Sequence, residues 1–159
     1  MGMMKKSLIN KLFGAASILI SLFLPSHLWA SDYYDHCFED AGRRYDIDPS
    51  LLKAIAIQES ALDPEAQNGV GDTGLMQINP FWFDKLADYG ITPVHLEEAC
   101  ISANVGAWIL ATNFAQYGRG WNAVGVYHAG TSKAKEVKER AARYIEKIKR
   151  HYSRLNGRK

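Results

Sequence analysis

The chain has 159 residues, a formal net charge of +2 and 47% hydrophobic residues. This length suits one domain with one modest core. The nearly balanced charge gives no support for a nucleic-acid-binding protein, and we expect no nucleic acid among its partners.

Residues 1–30 have the three parts of a secretory signal peptide. Three lysines near the start precede an apolar run over residues 12–24, and the small residue Ala30 follows shortly after. The apolar run is too short to span a bilayer comfortably. We therefore predict cleavage after Ala30 and export to the periplasm, with an uncleaved anchor as the alternative.

Charge is distributed unevenly along the remaining chain. Residues 31–159 carry 16 basic and 17 acidic residues, a net charge of −1. Residues 133–159 alone carry 11 basic and 3 acidic residues, whereas residues 31–132 carry 5 basic and 14 acidic ones. This basic segment is either a surface that docks a partner or a solvated helix face followed by a frayed tail.

Helical periodicity and helix start signals predict an all-α fold with at most a minimal β element. Asp48-Pro49 is typical of a helix start, and residues 67–74 form a glycine-rich loop. We predict a single helical domain over residues 31–152 and a basic tail over residues 153–159. The predicted helices are residues 38–45, 48–60, 80–89, 101–117, 122–127 and 132–152, with a short helical turn after Thr92-Pro93.

Two cysteines, Cys37 and Cys100, follow the predicted leader. An even cysteine count in an exported protein favours a disulfide over two buried free thiols. Neither cysteine lies in a C-x-x-C pair, and the histidines are scattered without a ligand spacing. We therefore expect no metal site and no cofactor.

Glu59 is the leading candidate for a catalytic group. It lies at the end of a helix among apolar neighbours, and burial would raise its pKa and keep a proton on it near neutral pH. A general acid that acts on a glycosidic oxygen needs this property. The alternative is an ordinary exposed glutamate at a helix end.

Two further segments carry polar side chains suited to a carbohydrate. In Gly-Leu-Met-Gln-Ile-Asn, residues 74–79, the amides of Gln77 and Asn79 can bind sugar hydroxyl and acetamido groups. Asn79 could equally be the N-cap of the next helix. In the segment of residues 123–130, the phenol of Tyr127 lies beside a glycine-ended turn.

Together, Glu59-Ser60, residues 74–79 and residues 126–130 resemble the motifs of the soluble lytic transglycosylase domain, a relative of goose-type lysozyme. Residues 104–110 resemble the helix that lies between these motifs in the family. The resemblance extends from about Cys37 to Tyr152 and implies a lysozyme-like helical domain that binds peptidoglycan glycan strands. The small size, leader and cysteine pair are similar to specialised members that serve type III secretion, type IV secretion, conjugation or pilus machines.

The resemblance also implies a mechanism with one carboxylate. Glu59 would protonate the oxygen between N-acetylmuramic acid and N-acetylglucosamine, and would then act as base on the muramyl 6-hydroxyl to give a 1,6-anhydro product. Ser60 would support Glu59, Met76 and Gln77 would line the cleft with Asn79, and Tyr127 would reach the reacting centre.

Two positions depart from the family pattern. His128 stands where the family has asparagine; it can still exchange hydrogen bonds with substrate, or it can be a partly exposed turn residue. Asp72 precedes the motif of residues 74–79, where a second carboxylate could stabilise an oxocarbenium-like state or position a water. Alternatively, Asp72 is a loop residue in an Asx turn.

Three classes of function therefore remain open at the level of sequence. They are a transglycosylase, a hydrolase of the same bond that uses Glu59 and Asp72, and an inactive scaffold that binds the cell wall. We expect the protein to be a monomer. Among the many aromatic residues, we assign Trp108 and Phe114 to the core and leave the others unassigned.

Overall fold

A computed structural model describes residues 32–157 of the chain. The predicted signal peptide, residues 1–30, and the last two residues of the predicted tail lie outside the described residues. Between residues 32 and 157 the chain forms six α-helices and two short 3-10 helices, with no strand. None of the helices in this part of the chain is long and apolar enough to cross a membrane.

The helices confirm the predicted all-α fold. The β structure in the described range consists of two isolated antiparallel bridges, Gln67 with Thr73 and Thr73 with Ile78. They hold the glycine-rich loop in a fixed conformation. The α-helices are α1 Asp35–Tyr45, α2 Pro49–Ser60, α3 Phe83–Ala87, α4 Ala99–Tyr117, α5 Trp121–Ala129 and α6 Lys135–Asn156, and the 3-10 helices are Pro80–Trp82 and Pro93–Glu97.

Helix starts follow the local chemistry of the sequence. The Asp48 carboxylate accepts a hydrogen bond from the Ser50 amide at 2.8 Å, so α2 begins at the predicted cap. The predicted helix over residues 80–89 is instead divided, because Asn79 caps a tight 3-10 turn before α3 begins. The last helix begins at Lys135 rather than at residue 132, and it continues to Asn156, four residues into the predicted tail.

The helices pack into one core around α4. Helix α1 packs on α4, α2 packs on α6, and α5 contacts both α4 and α6. Each large side chain removed from water in this core contributes roughly 1.5–3 kcal/mol. The fully buried members come from the helices and the loop alike: Phe38, Leu52, Ile55, Leu75, Met76, Ile78, Leu96, Leu110, Val124 and Ile148. Trp108 and Phe114 are half-buried and pack against this core rather than within it.

Cys37 and Cys100 join the first turns of α1 and α4. Their sulfur atoms lie at bonding distance and their Cα atoms are 4.7 Å apart. A bridge between residues 63 positions apart stabilises the fold by roughly 4 kcal/mol in the chain-entropy account. The Nε2 atom of His36 lies 3.4 Å from each sulfur. Sulfur atoms joined in a disulfide have no thiolate to offer a metal.

Candidate active site

An open cleft of about 820 Å³ crosses the face of the domain where α2 ends. Its sides come from the end of α2, the glycine-rich loop, α4 and α5. Six of the eight residues predicted to act on substrate line it together: Glu59, Asp72, Gln77, Asn79, Tyr127 and His128. Residues that are far apart in the sequence therefore meet at one site.

Glu59 points into this cleft from the last turn of α2, and its side chain is 13% exposed. Burial raises the pKa of Glu59 to about 7, and the charge of Asp72 acts in the same direction, although a hydrogen bond from Tyr144 partly opposes both. At neutral pH the carboxyl is therefore divided between its protonated and ionised forms. A group in this state can donate a proton in one step and accept one in the next.

The Tyr144 hydroxyl fixes the orientation of Glu59. It donates a hydrogen bond of 2.6 Å to Oε1 of Glu59, and the Tyr144 side chain is almost completely buried in α6. Burial, followed by the neighbouring Glu59 carboxylate, raises the pKa of Tyr144 well above its ordinary value, so the phenol keeps its proton. Tyr144 thus stabilises the ionised form of Glu59 and holds its second oxygen towards the cleft.

Replacing Tyr144 with phenylalanine is expected to move the basic limb of the pH–rate profile upward by about one pH unit. A hydrogen bond to a charged group contributes roughly 1.5–3 kcal/mol, and its loss raises the pKa of Glu59 further above 7. Because the carboxyl also loses its fixed orientation, we expect kcat at the optimum to fall about tenfold. The measurement is turnover of peptidoglycan from pH 4 to 10.

Tyr152→Phe is the matched control for that experiment. Tyr152 lies on the same helix and also donates to a carboxylate, Oδ2 of Asp48, at 2.5 Å, but Asp48 does not line the cleft. Its pH–rate profile should coincide with that of the parent protein. An unshifted basic limb in Tyr144→Phe would show that the phenol does not set the pKa of Glu59.

The imidazole ring of His128 stacks on the Tyr144 ring beside Glu59. The two rings stack with centroids 4.5 Å apart and planes within 5°, and Nδ1 of His128 lies 3.9 Å from Oε1 of Glu59. Burial, followed by the positive charges of Arg140 and Lys147, lowers the pKa of His128 below 6.5. The imidazole is therefore mainly neutral at pH 7 and can exchange hydrogen bonds with a sugar.

Tyr127 is fixed by the backbone of the motif loop, residues 74–79. Its hydroxyl donates to the Met76 carbonyl at 2.9 Å, and burial raises its pKa well above the ordinary value. The phenol therefore lines the cleft as a neutral group that ties α5 to the loop. Helix α5 therefore supports the motif loop through Tyr127, and α6 supports Glu59 through Tyr144.

Asp72 is held by two side-chain amides. Its carboxylate accepts hydrogen bonds from Asn68 at 2.7 Å and from Asn79 at 2.6 Å. The Asx turn in this loop is made by Asn68, whose oxygen accepts from the Val70 and Asp72 amides. The alternative reading, in which Asp72 itself makes the Asx turn, is therefore wrong, and its carboxylate remains a fixed negative charge in the cleft.

Asn79 has both of the roles considered for it. Its side-chain oxygen caps the 3-10 helix by accepting from the Phe81 amide at 3.0 Å, and the residue also lines the cleft. Gln77 uses its amide nitrogen to bind the carbonyls of Ala66 and Gly74 at 2.9 and 3.1 Å. Its Oε1 atom is therefore the part of this side chain that suits a substrate donor.

Asp72→Asn is expected to reduce turnover by less than about tenfold and to move the basic limb of the pH–rate profile downward. The reason is that the charge of Asp72 raises the pKa of Glu59, so neutralising it lowers that pKa. Peptidoglycan turnover between pH 4 and 10 measures both effects. A loss of more than about a hundredfold would instead assign Asp72 a direct part in bond cleavage.

Two predicted contacts are corrected by the structure. Met76 is fully buried against Gly106, so its side chain has no surface to offer a substrate. Ser60 does not line the cleft; its hydroxyl donates to the Leu75 carbonyl at 2.8 Å and joins the end of α2 to the motif loop. Both residues hold the motif loop in place, and neither is among the residues that line the cleft.

The motif loop is held on its other side by Ser102 of α4. The Ser102 hydroxyl accepts from the Met76 amide at 3.0 Å. Gly74 has a φ of +81°, and a Cβ atom there would lie 1.9 Å from the Leu96 carbonyl oxygen. Only glycine fits this conformation and this close approach. Most of the motif of residues 74–79 therefore has a structural role, which is to position Gln77 and Asn79 in the cleft.

Residues 36–149 match the family of the transglycosylase SLT domain. The chain belongs to this family. The predicted enzyme class, a peptidoglycan lytic transglycosylase, is thereby confirmed.

Relatives of this transglycosylase agree with that membership. Protein IpgF of Shigella flexneri is 42% identical over 142 residues, which cover 86% of this chain and 89% of the relative. Invasion protein IagB of Salmonella typhimurium is 40% identical over 146 residues, 88% of this chain and 86% of the relative. An inactive mutant of the lytic transglycosylase Slt from Pseudomonas aeruginosa shares the fold, with a TM-score of 0.65 and 21% identity over 79% of this chain and 25% of that chain.

Sequence reasoning missed several residues of the transglycosylase cleft. Tyr144, which supports Glu59 from behind the cleft, was not among the predicted site residues, although a tyrosine among aliphatic residues signals a hydroxyl that needs a buried partner. The sequence analysis also did not predict that one face of α4 lines the cleft, because the few polar side chains of that face lie within a mainly apolar helix. The additional lining residues include Phe81, Trp82, Thr112, Asn113, Gln116 and Tyr117.

Proposed function

We propose that the protein cleaves the β-1,4 bond between N-acetylmuramic acid and N-acetylglucosamine without water and leaves a 1,6-anhydro-muramyl end. The observation that supports this best is the environment of Glu59, a carboxyl in the cleft with a pKa of about 7 and one oxygen that accepts a hydrogen bond from Tyr144. Such a group serves as acid and as base in succession, so one carboxyl is enough.

In the first step, protonated Glu59 donates its proton to the glycosidic oxygen while the bond from that oxygen to the muramyl anomeric carbon breaks. The N-acetylglucosamine fragment leaves with a new 4-hydroxyl group. Positive charge develops on the muramyl ring, and the fixed negative charge of Asp72, which lines the same cleft, favours it. Tyr144 stabilises the carboxylate that Glu59 becomes.

In the second step, the Glu59 carboxylate accepts the proton of the muramyl 6-hydroxyl. That oxygen then forms a bond to the anomeric carbon of the same sugar and closes the anhydro ring. The proton returns to Glu59, so the enzyme is restored and no water is consumed. A neutral His128 beside Glu59 and the Oε1 atom of Gln77 are placed to orient the sugar that reacts.

The same proposal places the protein in the periplasm, where it opens the cell wall locally for a secretion or pilus machine. Support comes from the secretory pattern of residues 1–30 and from the cysteine pair at bonding distance. The name of the IagB relative, an invasion protein, fits work at such a machine. Cell fractionation with an antibody to the chain tests the location.

The mass of the products tests the chemistry. Purified protein is incubated with sacculi, and the released muropeptides are measured by mass spectrometry. We expect ends that are lighter than the hydrolytic product by one water. Reducing ends would instead support a hydrolase in which Asp72 positions a water, the second candidate favoured by its place in the cleft. No cleavage by folded protein would support the inactive scaffold.

A further inference from the structure

A second cavity of about 310 Å³ opens beside the catalytic cleft, between the end of α5 and the start of α6. We call it the side pocket. It shares Tyr117, Val126, Gly130 and Thr131 with the cleft, so the two cavities adjoin. Its other lining residues include Lys133, Val137, Lys138 and Ile145.

The floor of the side pocket is apolar because α5 and α6 approach closely there. A Cβ atom on Gly125 would lie 2.9 Å from Cδ1 of Ile145 and 3.2 Å from Cβ of Ala141, so a larger residue there would require these side chains to move. Val137, Ala141 and Ile145 remain half-buried and present methyl groups to the pocket. A small apolar side chain would find complementary surface on this floor.

The side pocket is also positively charged. Lys133 and Lys138 line it, and no acidic residue of the described chain does. Neither ammonium group has a carboxylate within salt-bridge distance in residues 32–157, in contrast to Lys135 and Lys149, which pair with Glu139 and Glu146 at 3.8 and 2.9 Å. Two unpaired lysines over an apolar floor suit a ligand that combines carboxylates with small methyl groups.

We propose that the side pocket binds the acidic, alanine-containing peptide that peptidoglycan carries on the muramic acid next to the bond being cut. This inference rests on the proposed function, because it assumes a muramyl sugar in the cleft beside Glu59. The peptide leaves the sugar as a branch, and the side pocket adjoins the cleft at Val126 and Thr131, within reach of such a branch. Lys133 and Lys138 are then specificity-determining residues.

The test compares two substrates, intact sacculi and the same sacculi stripped of peptides by an amidase. We expect the parent protein to have a higher kcat/KM on the peptide-bearing glycan. In Lys133→Gln/Lys138→Gln, the ratio of kcat/KM on intact to stripped glycan should fall about three- to tenfold, the size expected for two exposed ion pairs. Thermal unfolding of each variant checks that the domain remains folded.

Lys135→Gln/Lys149→Gln is the matched control. It removes the same total charge, in this case from α6 alone, and neither residue lines the side pocket. Its ratio should equal that of the parent. An equal fall in both double variants, or a ratio that does not change in Lys133→Gln/Lys138→Gln, would overturn the inference while leaving the proposed function intact.

A binding measurement separates failure of the pocket from failure of the chemistry. An N-acetylmuramoyl peptide is titrated into the isotope-labelled protein, and amide chemical shifts are followed by NMR. We expect shifts in residues 130–142 that are lost in Lys133→Gln/Lys138→Gln. Shifts without cleavage of sacculi would refute the proposed function alone, and cleavage without these shifts would refute the side pocket alone.

Discussion

Glu59→Gln is expected to lower the rate of peptidoglycan cleavage by at least about a thousandfold. Glutamine keeps the size of the side chain and can still accept the hydrogen bond from Tyr144, but it can neither donate a proton to the glycosidic oxygen nor accept one from the 6-hydroxyl. Loss of a general acid–base group costs about 10²–10⁴ in rate, and in the proposed mechanism Glu59 has both roles. Turbidity clearing of sacculi measures the loss.

Glu146→Gln is the matched control for activity, because its side chain is 61% exposed on α6 and lies outside the cleft. It should clear sacculi at the rate of the parent. Clearing by Glu59→Gln at a similar rate would show that another group supplies the proton, and the assignment of Glu59 would then be wrong.

Glu59→Gln is also expected to stabilise the protein at high pH. The pKa of Glu59 is about 7 in the folded state and near 4.5 in the unfolded chain. The folded state therefore binds the proton more tightly, and this group makes the parent less stable as the pH rises from about 4.5 to 7. Glutamine removes that loss, which amounts to about 3 kcal/mol above pH 7.

Urea unfolding at pH 4 and pH 8 measures this effect. The difference between Glu59→Gln and the parent should be near zero at pH 4 and should favour the variant at pH 8. An equal difference at both pH values would mean that burial does not penalise the Glu59 charge. If the variant is favoured at pH 8 alone, the buried Glu59 carboxylate lowers the free energy of unfolding at that pH. Proteins retain such destabilising groups where the function requires them.

Gly74→Ala is expected to destabilise the domain by more than about 3 kcal/mol. The backbone at Gly74 has a φ of +81°, which disfavours any residue with a Cβ atom, and that atom would overlap the Leu96 carbonyl oxygen. The motif loop must move to relieve the overlap, and it would carry Gln77 and the Met76 carbonyl away from their partners. The midpoint of urea unfolding measures the change.

Gly69→Ala tests whether the effect belongs to position 74 or to the loop in general. Gly69 lies in the same glycine-rich loop, but a Cβ atom added there meets nothing within 4 Å. Its unfolding midpoint should remain within about 0.5 kcal/mol of the parent. Equal destabilisation by both substitutions would contradict the role given to the close approach at Leu96.

The sequence predicted the fold well because helix signals are local. Asp48 caps α2, apolar spacing marks α4, and glycines close several helices, so the ends of α2 and α4 were placed within two residues. The 3-10 turn at Pro80 was not foreseen. A helix start signal looks the same for both kinds of helix, and the difference depends on how Asn79 is held by Asp72 across the loop.

The site was predicted in part, and the errors have a common cause. Glu59, Gln77 and Tyr127 were placed correctly in the cleft, because polar groups within a recognisable motif are visible in the sequence. Which motif residues touch substrate and which support the loop was not visible. Met76 and Ser60 proved to be supports, since their partners, Gly106 and the Leu75 carbonyl, are defined only by tertiary packing.

Tyr144 is the clearest example of a residue whose role in the site could not be predicted from the sequence. It lies 85 positions beyond Glu59, on a helix whose apolar stripe explains its burial without any reference to catalysis. The hydrogen bond between them arises from the packing of α2 on α6. Periodicity indicates that such a residue is buried, but not which group it meets.

That separation along the chain has a consequence for when the enzyme becomes active. A chain synthesised from its N-terminus presents Glu59 long before Tyr144 and the rest of α6 emerge. Until then the carboxyl lacks the burial that raises its pKa to about 7 and the hydroxyl that orients it, and it behaves as an ordinary ionised glutamate. We expect the capacity to cut glycan to switch on only with the docking of the last helix, which keeps incomplete or truncated chains harmless to the cell that makes them.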